Sequence, residues 1–552
     1  MFRIPPTLSL GLAALLCAGL GNTAAAQQPS TAAAAAPAAA APREYVRTTP
    51  PTDPVIQRIW TEGMERSRAA AMAQVLTDSI GPRLTGSPGH RAGNEWLLRT
   101  YEVLGVTARN EQYGTWNSWR RGLSHIDMLA PRVRSLEGMM LAWSPGTGGQ
   151  PVEGEVVALP AVTTRAEFDA WLPSARGKWV LTSAPRLSCR MPAQWVEFGT
   201  EASRERIRVA QDSVAADWTA RLGALETPRP AATDSLHAAL QRAGAHGVLS
   251  STWSGYPGTD KIFGSWRQRL PTMDVLCEDY AMLVRLAENG QQPRVRVTAD
   301  AESLGELPVF NTVAEIRGSE SPDEYIVLSA HFDSWDGASG ATDNATGTVT
   351  MLEAIRILKQ VYPNPRRSII VGHWGGEEQG LNGSRAYTED HPEVVAGVHA
   401  LFNQDNGTGR VVSMSPGGLA SAGPVLRGYL SQIPSDITQY INFQEPGSPA
   451  GGGSDHASFA CHGAPAFSLG SLSWDYGSTT WHTNRDTYDM IVVDDLKNNA
   501  TLTAMLVYLA DADPTFMPRD RVSPLPNNPR TGEPTQWPSC TPATRRTGDS
   551  PR

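Results

Sequence analysis

Cysteine is scarce in this sequence. Five cysteines stand in 552 residues, and no two form a CxxC pair. That excludes a disulfide scaffold and makes a cysteine metal site improbable. A basic excess is also missing: 47 Lys and Arg stand against 56 Asp and Glu, a net charge of −9. Nucleic-acid binders carry the opposite balance, so no nucleic-acid partner is expected. Beyond the first 26 residues, no stretch approaches about 18 consecutive apolar residues, so no stable membrane insertion is expected. There is no internal repeat.

What is present suits a large globular chain. Hydrophobic residues make up 40% and charged residues 19%, enough for a core and an ordinary surface. At about 150 residues per domain, three or four structural units are expected. Residues 1–26 read as a secretory signal. Arg3 is the only early charge, the apolar run from Leu8 to Leu20 is too short to span a bilayer, and Ala24-Ala25-Ala26 offers small residues for cleavage. This predicts a secreted or periplasmic protein. Residues 27–50 form an Ala/Pro-rich linker with nothing to bury. Removal of Cys17 leaves Cys189, Cys277, Cys461 and Cys540, as buried thiols or as one or two disulfides.

The pattern then changes along the chain. Residues 51–132 carry helical periodicity, with Ser87-Pro88-Gly89 placed to cap a helix around Ala92–Leu104, and 123–130 read as a strand. Residues 133–300 hold short strand candidates such as Gly154–Leu159 and Gly177–Thr182, which predicts a β-rich insert. From 301 to 514 strands and helices alternate: Tyr325–Ala330, a helix after Asp343, Ser368–Val371, Val398–Phe402, and a closing helix at Leu496–Ala510. Such alternation predicts an α/β fold with a mostly parallel mixed sheet and helices on both faces. Residues 515–552 are Pro-, Thr- and Arg-rich and are expected to be irregular.

Five metal-type ligands fall in the 301–514 region. His331 directly follows one strand, and Asp343 lies 12 residues on at the start of a helix. Glu378, beside Glu377, follows the next strand, Asp405 follows a third, and His482 comes late in Trp481-His482-Thr483-Asn484-Arg485-Asp486. In an open parallel sheet, ligands collect beyond the carboxyl ends of the strands, so residues distant in sequence can converge. Two imidazoles and three carboxylates can hold two zinc ions if one carboxylate bridges them. Asp343 is the natural bridge, with His331 and Asp405 on one ion and Glu378 and His482 on the other. Glu377 is then spare and can take a proton from water. Asp333 is placed to accept from the second imidazole nitrogen of His331 and so orient it. Each residue also has an ordinary reading: Asp343 can cap its helix, and Glu377-Glu378 can be a solvated pair. Their joint presence at strand ends, among glycines and not in a charge run, favours a site.

The series His331-Phe332-Asp333-Ser334-Trp335-Asp336, Gly340-Ala341-Thr342-Asp343-Asn344 and Trp374-Gly375-Gly376-Glu377-Glu378-Gln379-Gly380-Leu381-Asn382-Gly383-Ser384 resembles the co-catalytic zinc exopeptidases. That family includes secreted bacterial aminopeptidases, glutamate carboxypeptidase and carboxypeptidase Q, whose form of the first motif is most similar. Gly452–Phe459 and His482–Thr487 look like its later motifs. Ile80-Gly81-Pro82-Arg83-Leu84-Thr85-Gly86-Ser87 extends the likeness more loosely to 55–130.

The resemblance implies a secreted zinc exopeptidase, an aminopeptidase or dipeptidase acting on short peptides. It implies two Zn2+ per chain on His331, Asp343, Glu378, Asp405 and His482, with Glu377 as general base. It also implies a cis peptide between Asp343 and Asn344, and it makes 133–300 a protease-associated-like insert. Trp481 stands where the family often has a Tyr that helps bind the oxyanion, so that donor is unassigned. His373 and His399, inside strands, are expected to be structural, and Asp455 to be either a family motif residue or a helix cap. Arg385 and Asp475 are candidates for a substrate terminus. Two other readings are a glutaminyl cyclase-like acyltransferase with one zinc and a non-catalytic binding protein on the same fold. The insert and the full ligand set argue against the first, and the presence of all five ligands and the base against the second. Oligomeric state is left open, a homodimer included.

Overall fold

The computed structural model describes residues 52–191, 193–223, 233–265, 269–449, 453–527, 532–533 and 535–546. The signal expected at 1–26 and the linker at 27–50 lie outside the described residues.

The fold is α/β, with the mostly parallel mixed sheet expected from the sequence. Besides the short strand Arg134–Leu136, which pairs with the first, its strands are β1 (Thr107–Ala130), β2 (Gly138–Met140), β3 (Val152–Ala158), β4 (Lys178–Leu181), β5 (Gly247–Ser250), β6 (Thr272–Val275), β7 (Arg294–Ile316), β8 (Ser321–His331), β9 (Arg367–Trp374), β10 (Val398–Asn403) and β11 (Ala466–Ser468). Their order is β11-β10-β8-β9-β7-β3-β4-β5-β6-β2. Strands β11, β10, β8 and β9 run parallel to one another. So do β3 to β6. The two parallel groups meet at β7, which pairs antiparallel with β9, with β3 and along its length with β1.

Strand β1 runs from 107, well before the 123–130 segment read from the sequence. Register shifts interrupt its pairing with β7 at Gln112/Gly114, Ser118/Trp119, Arg121/Ser124 and Met128/Ala130. A bulge that inserts an extra residue into the strand flips its side-chain alternation, which hides it from a period-two reading.

Residues 133–300 contain the helices that the runs Ser235–Ala243 and Glu278–Glu288 suggest, and further helix besides. Helices span Arg165–Trp171, Glu201–Gly223, Thr233–Ala243 and Cys277–Glu288. Parallel strands need crossovers of a dozen or more residues, and the first three of these helices lie in the β3-to-β4 and β4-to-β5 crossovers. The 23-residue helix Glu201–Gly223 escaped notice because only Trp218 on it is buried. Without an apolar stripe, helical periodicity has nothing to register.

Strand β8 is buried on both faces. Ile326, Leu328 and Ala330 join a core with α1 (Thr346–Val361) and α2 (Val493–Ala512). Tyr325 and Val327 face the opposite cluster, which holds Tyr387, Val394 and Phe459 from the short helices on the other side. Burying each such aliphatic side chain contributes about 1.5–3 kcal/mol. The core therefore grips β8, β9 and β10, and with them the loops at their carboxyl ends.

Both possible disulfides form, Cys189–Cys277 and Cys461–Cys540. The second ties the C-terminal tail to the helix His456–Ala460. Among the described residues, no helix is long and apolar enough to cross a membrane.

Candidate metal centre

Three parallel strands stop at one rim. His331 is the last residue of β8 and pairs in register with Trp374, the last of β9. Glu377 and Glu378 follow after Gly375-Gly376. Gly376 sits at φ +68°, and a Cβ there would lie 2.5 Å from the Tyr113 hydroxyl, so only glycine permits this turn. Asp405 follows the end of β10 at Asn403. Asp343 lies in the turn Ala341–Ala345 that opens α1. The Asp343–Asn344 peptide is cis, as the resemblance implied. His482 arrives on a loop from the far end of the domain.

These side chains converge. Asp343 turns one carboxylate oxygen to each imidazole: Oδ1 is 3.2 Å from His331 Nε2, and Oδ2 is 3.2 Å from His482 Nε2. Asp405 Oδ1 approaches His331 Nε2 at 3.0 Å, and Glu378 Oε2 approaches His482 Nε2 at 2.9 Å. Ligand-type atoms of His331, Asp343 and Glu378 lie within 4.8 Å of one another, as do those of His331, Glu377 and Asp405. Asp343 Oδ2 and Glu378 Oε1 are buried without a hydrogen-bond partner. Buried, unpartnered carboxylate oxygens beside two imidazoles form a donor set for divalent cations.

The electrostatics agree. Burial pushes the Glu378 carboxyl up to about 7, aided by the charge of Asp343. Burial likewise drives Glu377 well above its ordinary value, against the pull of His331. Burial alone would lower both imidazoles. Asp405 and Glu377 outweigh it at His331, raising it well above normal, and Glu378 and Asp343 raise His482 to about 10. The cluster gathers protons where positive charge is wanted.

Asp333 does something other than orient His331 through its carboxylate. His331 Nδ1 meets the Asp333 backbone carbonyl at 3.0 Å, while the carboxylate stands 3.7 Å away. That carboxylate instead accepts the Glu377 N–H (3.0 Å), the Glu378 N–H (3.2 Å) and the Thr85 hydroxyl (3.0 Å). Two backbone donors at the start of a turn outcompete one imidazole, so Asp333 positions the Glu377-Glu378 loop.

Several supporting residues escaped the sequence reading. The Asp486 carboxylate accepts the Thr342 and Asp343 N–H groups at 2.7 and 3.0 Å, holding the turn that carries Asp343. Arg83 is fully buried and donates to the carbonyls of Gly81, Phe332, Ser339 and Gly340 at 2.8–2.9 Å. It clamps the loop between His331 and Asp343. The signal for both lay in motifs already singled out, but their partners are backbone groups that no pattern reveals. Tyr476 is a third. Burial raises its phenol well above the ordinary value, and Asp343, Asp405, Asp486 and Glu378 add to the shift. It therefore stays a neutral donor near the carboxylates.

Other candidates sort plainly. His373 Nε2 pairs with the Tyr101 hydroxyl at 2.7 Å, and His399 Nδ1 accepts the Met517 N–H at 3.1 Å, both inside the fold. Asp455 makes no capping hydrogen bond, and burial raises its carboxyl to about 7. Asp475 accepts from the Tyr256 hydroxyl at 3.0 Å. Trp481 stacks on His482 with ring centres 4.0 Å apart.

Residues 311–507 match Peptidase family M28. This span contains every one of the five converging ligand-type residues. Over that span the chain is similar to the M28 peptidases. It is thus a hydrolase of peptide bonds. Carboxypeptidase Q of Bos taurus is 27% identical over 462 residues, which cover 83% of this chain and 88% of that protein. Among solved structures, a peptidase M28 precursor from Shewanella amazonensis superposes with a TM-score of 0.60 at 21% identity, covering 86% of this chain and 98% of its own. A zinc aminopeptidase from Bacillus subtilis gives 0.50 at 18%, covering 80% and 94%. These neighbours share the α/β fold.

Proposed function

We propose that this protein is a secreted, zinc-dependent exopeptidase of the M28 kind that removes single residues from short peptides, as an aminopeptidase or a dipeptidase. One observation carries the proposal: Asp343 offers its two oxygens to two different imidazoles, each backed by a further carboxylate. His331 and Asp405 would hold one zinc, and Glu378 and His482 the other, with Asp343 spanning both. Carboxypeptidase Q and the zinc aminopeptidase named above support this reading.

Bound zinc supplies Lewis acidity toward the scissile carbonyl and the attacking water. The chain's own residues do the rest. Glu377 takes the water proton and delivers it to the leaving amine. Asp333 holds Glu377 in place through its backbone N–H. Arg83 and Asp486 fix the loops of His331 and Asp343. Tyr476, a neutral donor beside Asp343, Asp405 and Glu378, would donate to the carbonyl oxygen as negative charge develops there. Changing Tyr476 to Phe should lower kcat by about 10²-fold with zinc content unchanged. A kcat within twofold of the parent would remove Tyr476 from the mechanism.

Export is supported by the two disulfides, which form in oxidising compartments. We assign 301–514 with 51–132 to the catalytic domain and 133–300 to a protease-associated-like insert. The two parallel strand groups on either side of β7 support that division.

The test is elemental analysis of the purified protein with a substrate panel, aminoacyl-p-nitroanilides beside free dipeptides, before and after chelation. Two zincs per chain and chelator-sensitive hydrolysis of at least one class are expected. A zinc-loaded protein that cleaves neither class refutes the proposal.

A further inference from the structure

The segment 258–265 belongs to the 133–300 region, yet it packs on the loop of His482. Ile262 N–H donates to the His482 carbonyl at 2.6 Å. Lys261 Nζ donates to the carbonyls of Gly477 and Trp481 at 2.6 Å each and lies 4.4 Å above the Trp481 ring. Asp260 N–H donates to Asn484 Oδ1 at 3.1 Å. Ile262 is buried against Gly337, where a Cβ would come within 2.7 Å of it. The backbone of this segment is therefore anchored on both sides of residue 482.

The anchoring sets the place of one ring. Phe263 meets His482 edge-on, with centroids 5.3 Å apart, and meets Trp335 edge-on at 5.5 Å. Trp335 is buried, but Phe263 remains 36% exposed and Trp481, on another side of the same imidazole, 39% exposed. Two clamped aromatic rings thus stay open to solvent on either side of a residue at the reactive rim. Aromatic surface held rigid and left open gains most when an apolar group covers it.

Resting on the peptidase reading above, we propose that Phe263, with Trp481, forms a substrate side-chain wall, so that the 133–300 region sets a preference for peptides with a large apolar or aromatic residue at one side of the scissile bond. The recognition is by shape and burial of that side chain, and the insert is part of the specificity machinery.

The experiment measures kcat/KM on dipeptides carrying Phe, Leu, Ala or Ser at either position, for the parent, Phe263→Ala and Phe263→Leu. Zinc content and thermal unfolding are recorded for each. The parent is expected to prefer Phe over Ala at one position. Phe263→Ala should reduce that preference about tenfold at that position alone, mainly through KM, with Phe263→Leu between the two. An equal loss on all peptides, or a zinc loss that explains the whole effect, overturns the proposal and leaves Phe263 a support for His482. If Phe263→Ala does not fold, the Phe263→Leu ratio decides alone. A parent inactive on every peptide fails the peptidase reading instead, which separates the two outcomes.

Discussion

Replacing Glu377 with Gln is expected to cut kcat by about 10³-fold while two zincs per chain remain bound. General acid–base catalysis contributes about 10²- to 10⁴-fold, which sets the scale. Burial holds the Glu377 carboxyl well above its ordinary value, so its affinity for a proton is suited to taking one from water and returning it. Its backbone is pinned by Asp333 at 3.0 Å, which leaves the side chain free of any positioning duty. Gln keeps the size and removes the basic oxygen. Glu377 also lies within 4.8 Å of ligand atoms of His331 and Asp405, so the zinc assay is the decisive companion. Loss of one zinc in Glu377→Gln would make Glu377 a ligand and sink its role as base.

Changing Asp343 to Ala should weaken zinc binding by more than about 100-fold, since even supporting residues of metal sites cost 10- to 100-fold when removed. The side chain faces both imidazoles, so its removal withdraws a donor from each position at once. His331 and His482 hold Asp343 in its ionised form, below its usual carboxylate range, despite its burial. Its loss leaves the imidazoles without their shared counter-charge. Zinc titration followed by elemental analysis checks this: two zincs retained at the parent's affinity would exclude bridging. Asp343→Asn keeps the shape and separates lost charge from a collapsed turn, because the Thr342 and Asp343 N–H groups still reach Asp486.

Much of the fold was legible from the chain. The alternation from 301 to 514 announced a parallel sheet, because strands buried on both faces carry apolar runs, as Ile369-Ile370-Val371 does in β9. Long helices with an apolar face, such as α1, were equally plain. Strand β1 was not, since its bulges break the alternation on which strand reading depends. The helix Glu201–Gly223 was hidden for the complementary reason that it buries almost nothing.

Sequence alone determined which residues are candidates for the chemistry, because metal-type ligands at strand ends and glycine-flanked acids are local features of the chain. It determined equally that strands and helices alternate from 301 to 514. Tertiary structure decided how those residues are held. Asp333 serves the Glu377-Glu378 amides and not the imidazole, Arg83 and Asp486 clamp loops through backbone groups, and Phe263 reaches His482 from the 133–300 region. Those are contacts between segments far apart in sequence, made through backbone atoms common to every residue or through rings that any core can hold. No pattern along the chain encodes them until the sheet has brought the segments together.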